Sequence, residues 1–289
     1  VDPKTNEAYV ADGYKNKRVA VLDADTGKMK RYWGAYGNRP DDTNLGPYDP
    51  NAAPAQQFRN PVHCVKLADD SKLYVCDRGN DRIQVFDENG RYETQFNNLH
   101  RPNGLAISPG RNPICYIGEI GPAMPVNIRT PNLGARVSIV THEGKPLARL
   151  GDRWPGYQPG QFMAPHGITV DSRGDIYVGE VSVTAWPRHR PGEPPPSSAA
   201  RPLVGLYDSV DPAVADWHVQ LAQAAGIDAF LVDWWDTHHS LDQNVDRIVA
   251  AIAKRGFKFA LLDERAQFHD TLENYQRMIV SALRRYKDN

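Results

Sequence analysis

Cysteine is scarce: three in 289 residues, Cys64, Cys76 and Cys115. That is too few for a disulfide scaffold, and the spacing is not that of a metal site. Cys64 and Cys76 fall on neighbouring strands of one hairpin and could meet, but the expected role is that of small buried apolar side chains. No run of 18 apolar residues exists, so no transmembrane helix is expected. Charge of either sign is not in excess: the formal net charge is −1, which points away from nucleic-acid and membrane surfaces. No signal-peptide pattern is seen. The chain begins at Val1 rather than Met, as expected of a mature form or a fragment.

What is present is a repeat. Residues Pro61 to Phe96 read PVHCVKLADDSKLYVCDRGNDRIQVFDENGRYETQF. Apolar residues alternate at Leu73, Val75 and at Ile83, Val85, which is strand spacing. Turn chemistry separates the runs at Asp69-Asp70-Ser71-Lys72, Arg78-Gly79-Asn80-Asp81 and Glu88-Asn89-Gly90. Asn89-Gly90 is a strong hairpin signal because both residues tolerate positive φ. The stretch therefore predicts one four-stranded antiparallel sheet. Its Tyr74-Val75-Cys76-Asp77 has relatives at Tyr9-Val10-Ala11-Asp12, Tyr116-Ile117-Gly118-Glu119 and Tyr177-Val178-Gly179-Glu180. A Pro-led strand precedes three of the four, at Pro61-Val62-His63, Pro102-Asn103-Gly104 and Pro165-His166-Gly167. Tyr74 and Tyr116 lie 42 residues apart, a propeller-blade period. Asn38 to Gln57 and Gly121 to Gly134 read as inserted loops.

Residues 1–186 resemble the NHL-repeat β-propeller family, most closely at Asp77-Arg78-Gly79-Asn80-Asp81-Arg82-Ile83-Gln84-Val85-Phe86-Asp87. Asp12, Asp77, Glu119 and Glu180 are expected to be structural, accepting turn N–H groups and pairing with arginine. The first repeat lacks its lead strand and the fourth stops after two, leaving a little over three blades. Propellers close with roughly four to eight, so an incomplete ring is expected. One branch of the family, a metal-dependent amidating lyase, holds its metal with histidines from several blade-lead motifs. Here only His166 fits. Val62 and Asn103 hold the matching positions, and His63 is one step off, on the opposite face of a period-two strand. Zinc needs about three protein ligands, so no metal and no cofactor are expected.

Trp186 to Pro202, WPRHRPGEPPPSSAARP, reads as a proline-rich linker that neither helix nor sheet continues through. After it the character changes. Leu203 to Asp208, Ile227 to Val232 and Phe257 to Leu262 are expected strands. Between them lie helices capped by Asp211-Pro212 and by Ser240 with Gln243, and a third begins at Asp270. The order βαβαβα predicts parallel strands. In such folds the carboxyl ends of the strands carry the site.

Residues 202–289 resemble the family 99/71-like glycoside hydrolases, including WbsX-type proteins, whose fold is a (β/α)8 barrel. The resemblance rests on Gly205-Leu206-Tyr207-Asp208-Ser209, Asp211-Pro212-Ala213-Val214, Trp217-His218 and Ala225-Gly226-Ile227-Asp228-Ala229-Phe230-Leu231-Val232-Asp233-Trp234-Trp235. It implies a sugar-binding wall of Tyr207, Asp208, Asp233, Trp234 and Trp235, and Asp263 and Glu264 join it after the third strand. No catalytic acid/base pair is found in this chain. His238 and His239 are expected loop residues.

The expected fold class is therefore multidomain. Propeller-like four-stranded blades fill 1–186, a linker spans 187–202, and a (βα)3 segment of TIM-barrel type fills 203–289. The expected function is glycan binding or hydrolysis, with the propeller as scaffold for substrate or partner. A non-catalytic interaction module and a metal-dependent propeller lyase are the alternatives. Carbohydrate is one expected partner and a protein or peptide on the propeller face another. Neither nucleic acid nor membrane insertion is expected, and the carbohydrate reading leans towards a secreted or periplasmic setting.

Overall fold

Turn residues set the strands of the first part of the chain, and cross-strand rungs then hold them. In the computed structural model, which describes residues 1–189, 191–192, 211–224, 227, 229–234 and 242–263, contacts divide the chain into two compact units, Val1–Ser197 and Ser198–Asn289.

In the first unit β1 (Glu7–Asp12), β2 (Arg18–Asp23) and β3 (Met29–Trp33) form a three-stranded antiparallel sheet. β4 (Val62–Leu67), β5 (Lys72–Asp77), β6 (Arg82–Asp87) and β7 (Tyr92–Phe96) form the four-stranded sheet expected from the repeat. β8 (Pro102–Ile107), β9 (Ile114–Glu119), β10 (Arg136–Thr141) and β11 (Pro146–Leu150) form a second of the same order. β12 (Pro165–Val170) and β13 (Ile176–Glu180) form a two-stranded sheet. The chain is thus mostly β, in antiparallel sheets of propeller-blade form. At the β6–β7 turn Gly90 has φ +88°, and a Cβ there would sit 2.5 Å from the Trp33 ring, so only glycine fits.

The blades stack through their faces. Leu73, Val75 and Phe86 pack with Val19, Val21, Trp33 and Phe58 on one side of the second blade. Tyr74, Cys76, Ile83 and Val85 pack with Leu105, Cys115, Ile117 and Val140 on the other. Period-two alternation with both faces apolar therefore means burial on both sides.

Each second strand ends in an acid opposite an arginine at the start of the third. The register pairs Asp12 with Arg18, Asp77 with Arg82 and Glu119 with Arg136. The ion-pair distances are 2.7, 2.8 and 2.9 Å. The side chains are 29% exposed in the first pair, at most 4% in the second and at most 6% in the third.

A helix, α1 (Ser182–His189), follows β13 and contains Pro187. This corrects the expectation that no helix enters the proline-rich stretch. Ala185 and Trp186 are buried with Ile120, Met163 and Ala164, and the Trp186 ring stacks on Tyr157 at 5.1 Å. That burial outweighs the backbone bond a proline removes.

In the second unit α2 (Pro212–Ala224) is capped by Asp211, whose Oδ1 accepts from the Ala213 N–H at 2.8 Å. β14 (Ala229–Trp234), α3 (Asp242–Lys254) and β15 (Lys258–Asp263) follow. β14 and β15 pair in parallel. Both strands run one or two residues beyond their expected starts. Ala215, Val219 and Ala222 of α2 pack with Ala251 and Ile252 of α3. Arg255 grips Asp216 with two bonds of 2.7 and 2.6 Å. The expected strand 203–208 and the helix from Asp270 lie outside the described residues.

The ion-pair series makes a graded prediction. Arg136→Met leaves Glu119 buried and uncompensated and is expected to destabilise the first unit by about 3–5 kcal/mol. Arg18→Met at the half-exposed pair is expected to cost under about 1 kcal/mol. Urea midpoints of the two variants check this; equal shifts would refute the burial argument.

Candidate binding site at the lead-strand bulges

Three lead strands, β4, β8 and β12, lie side by side. Each carries the same irregularity one residue after its first pair. Val62 pairs with Asp77 and Cys64 with Cys76, so His63 is left over. Pro102 pairs with Glu119 and Gly104 with Gly118, leaving Asn103. Pro165 pairs with Glu180 and Gly167 with Gly179, leaving His166. These are β-bulges, in which two residues face one and a side chain is re-aimed. His63, Asn103 and His166 are therefore equivalent. This corrects the placement of His63 one step off: the register sets Val62, not Pro61, at the position of Pro102 and Pro165, so His63 and not Val62 takes the looped-out place.

The strands approach closely. A Cβ on Gly104 would lie 2.2 Å from the His166 carbonyl oxygen, and one on Gly13 would lie 2.0 Å from that of Val62. The side chains consequently meet. The His63 and His166 rings stand edge to face at 4.8 Å, and Tyr14 lies 6.2 Å from His63. His63 Nδ1 is 2.8 Å from the Asn103 carbonyl oxygen. A carbonyl can only accept, so Nδ1 carries the hydrogen and Nε2 presents a lone pair. Arg78, just past the end of β5, donates from Nη1 to Asn103 Oδ1 at 3.0 Å, and its guanidinium lies 5.7 Å from the Tyr14 ring centroid.

The electrostatics are one-sided. Burial first, then the charge of Arg78, holds the His63 imidazole down at about 4, against an ordinary 6.5. The same two causes lower His166, and burial lowers Arg78. Asn103 is 2% exposed, and its Nδ2 has no hydrogen-bond partner among the described residues. At neutral pH the His63 imidazole is uncharged and faces the half-buried Arg78 guanidinium, with the charge of Arg101 adding to the field at His63.

This donor set does not fit a metal of the lyase kind. Among the described residues no three His, Cys, Asp or Glu side chains gather to hold an ion. The third bulge position is Asn103, whose Oδ1 is already taken by a guanidinium that repels a cation.

Two of the three cysteines correct the expectation of small buried apolar side chains. Cys64 and Cys76 form a disulfide across β4 and β5, with Cα atoms 4.9 Å apart, while Cys115 is free and buried.

Of the residues expected to bind sugar, Tyr207, Asp208, Trp235 and Glu264 lie outside the described residues, as do His238 and His239. Asp233, Trp234 and Asp263 end the two parallel strands, with Asp233 opposite Leu262 and Trp234 opposite Asp263.

No protein-family model matches the chain. Peptidyl-glycine alpha-amidating monooxygenase B of Xenopus laevis is 23% identical over 233 residues, 76% of this chain and 23% of the relative. Protein brain tumor of Drosophila melanogaster is 28% identical over 127 residues, 44% of this chain and 11% of the relative. The chain thus spans about a quarter or less of the length of these curated relatives. A virginiamycin B lyase from Staphylococcus aureus superposes with a TM-score of 0.36 at 15% identity, covering 62% of this chain and 51% of that one. No helix among the described residues is long and apolar enough to cross a membrane.

The depressed histidine predicts a pH effect with a definite sign. The unfolded chain takes up a proton at His63 near pH 6.5, the folded chain only near 4. Stability from this group is complete above 6.5 and falls as pH drops through that window to 4. His63→Gln should flatten the slope between those limits in urea titrations; parallel curves for the two proteins would contradict it.

Proposed function

We propose that residues 1–186 act as a propeller-type binding module whose site is the Arg78 cluster, and that its ligand carries an anionic group. One observation carries this reading. Arg78 is half-buried, and among the described residues no carboxylate pairs with it. Arg82 and Arg136, in the same unit, each have a buried acid. Removing a guanidinium from water without a counter-charge is unfavourable. A carboxylate would supply that charge through two parallel N–H···O bonds. Asn103 Nδ2 adds a spare donor, and His63 Nε2 can accept from an N–H or O–H on the same ligand.

A peptide ending in a free carboxylate is the form of anion that we favour. The Xenopus relative is named for peptidyl-glycine, and a peptide C-terminus joins a carboxylate to a neighbouring amide N–H. The module binds this end and leaves its chemistry unchanged: the residues gathered here hold a ligand and supply no metal.

Calorimetric titration with a peptide in free-acid and C-amidated forms tests this. The free acid should bind and the amide should bind at least about tenfold more weakly, in line with a charge-assisted bond. Arg78→Gln should erase the difference. Equal affinity for both peptides, or an unaffected Arg78→Gln variant, overturns the proposal.

For residues 203–289, beyond a boundary at the 187–202 linker, the second reading is glycan binding by the start of a (βα) barrel. It is supported by the parallel register that sets Trp234 and Asp263 at adjacent carboxyl ends, where such folds carry their sites. Tyr207, Asp208, Trp235 and Glu264 join it on sequence alone. Trp235→Ala should abolish retention on α-mannosyl or α-glucosyl matrices; retention equal to that of the parent chain, or none by either, ends this reading.

A further inference from the structure

We propose that the Cys64–Cys76 disulfide is a redox clamp on the β4 bulge, so that opening it with a dithiol releases His63 from the Arg78 cluster. This deepens the binding-site reading and rests on it for its functional meaning, but its test needs no ligand.

The argument begins with the rung that follows each bulge. In the three lead hairpins that rung is Cys64 with Cys76, Gly104 with Gly118 and Gly167 with Gly179. The position demands a small pair, and the second blade alone fills it with a covalent bond. In the third blade sterics lock the register. A Cβ on Gly104 would strike the His166 carbonyl at 2.2 Å, and one on Gly118 would come within 3.0 Å of Ile168. In the second blade the rung has room for two side chains, and their bond fixes which residue is looped out. A bulge is one residue away from the regular pairing, and that slip turns side chains to the other face. In the regular pairing His63 would oppose Cys76 and leave the cluster.

The bond also joins the two strands that matter. Cys64 follows His63 directly, and Cys76 stands two residues before Arg78. Cys64 is half-buried while Cys76 is fully buried, so Cys64 is the side from which we expect the dithiol reductant to enter. Its thiolate attacks Cys64 Sγ, forming a mixed disulfide and expelling the Cys76 thiolate. The second thiol of the reductant then displaces the Cys64 thiolate. The reductant leaves as its own disulfide, and two electrons and two protons end on Cys64 and Cys76. Cys115 does not compete: burial pushes its thiol up to about 12, so it is not a thiolate.

The experiment follows the imidazole resonances of the isotope-labelled chain through a pH titration, oxidised and then reduced with dithiothreitol. Arg78, Arg101, His166 and Tyr14 surround His63, and its midpoint reports whether that setting survives. Oxidised, His63 should titrate near 4. Reduced, it should move up towards the ordinary value by about one pH unit or more, with the remaining spectrum still that of a folded chain. The C64S/C76S double variant should match the reduced protein and ignore dithiothreitol. An unmoved His63 midpoint on reduction would leave the bond a simple staple and overturn the clamp. Loss of the whole folded spectrum on reduction would overturn it too, because the bond would then hold the unit rather than the bulge. Failure of carboxylate peptides to bind the oxidised chain would instead strike the binding-site reading, so the two failures are distinguishable.

Discussion

A hydrogen-bonded carboxylate at the end of each second strand, fully buried at Asp77 and Glu119, is the constraint on which the first unit depends. It ties two things at once. Asp77 accepts from Arg82 Nε across the β5–β6 hairpin and from the Arg59 N–H on the segment leading into β4. Glu119 accepts two bonds from Arg136 and one from the His100 N–H ahead of β8. Glu180 accepts from the Met163 and Ala164 N–H groups ahead of β12. Each acid therefore fixes where its lead strand begins. The bulge lies between that anchor and the rung that follows it, Cys64 with Cys76, Gly104 with Gly118 or Gly167 with Gly179, so the acid sets where the strand starts and the rung sets which residue is looped out.

The same acids explain why Arg78 stands apart. In the second and third blades the motif arginine is neutralised at short range, and burying such a pair is tolerable because the remaining donors and acceptors are also met. Arg78 follows Asp77 directly in the chain, but that carboxylate is already committed to Arg82, Asn80 and the Arg59 amide. Its guanidinium turns instead to the Asn103 side chain. Two histidines beside it are held neutral largely by the same burial. The charge left over is a by-product of how completely the structural acids are used.

Much of this was legible in the residues. The hairpins at Asp69-Asp70 and Asn89-Gly90, the acid–arginine rungs and the incomplete first and last blades all follow from turn chemistry and period-two spacing. The bulges do not. Aligning the repeats on proline sets Pro61 beside Pro102 and Pro165, whereas the register sets Val62 there. The usable signal was the small residue just before each acid, Cys76, Gly118 or Gly179, with its small partner Cys64, Gly104 or Gly167. The helix through Pro187 was illegible for another reason: its stability comes from Trp186 meeting Tyr157, a contact 29 residues apart in sequence. In the second unit, capping at Asp211 and the apolar run of β14 were readable locally. The sugar-binding role of Tyr207, Asp208, Asp233, Trp234, Trp235, Asp263 and Glu264 rested on resemblance to a family, not on a physical signal.

Burial within the repeat shows what the sequence motif cannot carry by itself. Tyr74 is fully buried and Tyr177, its equivalent, is 51% exposed. The local residues are nearly the same; what differs is whether a further blade packs against that face. The cluster obeys the same logic more strictly. His63, Asn103 and His166 come from three consecutive repeats, and Arg78 from the turn after the second strand of one of them. No single blade holds two of the bulge positions. Whatever this surface recognises, it does so through the packing of one repeat on the next, so a substitution at a blade interface such as Gly104, which carries no side chain of its own into the cluster, acts on recognition as directly as one in the cluster.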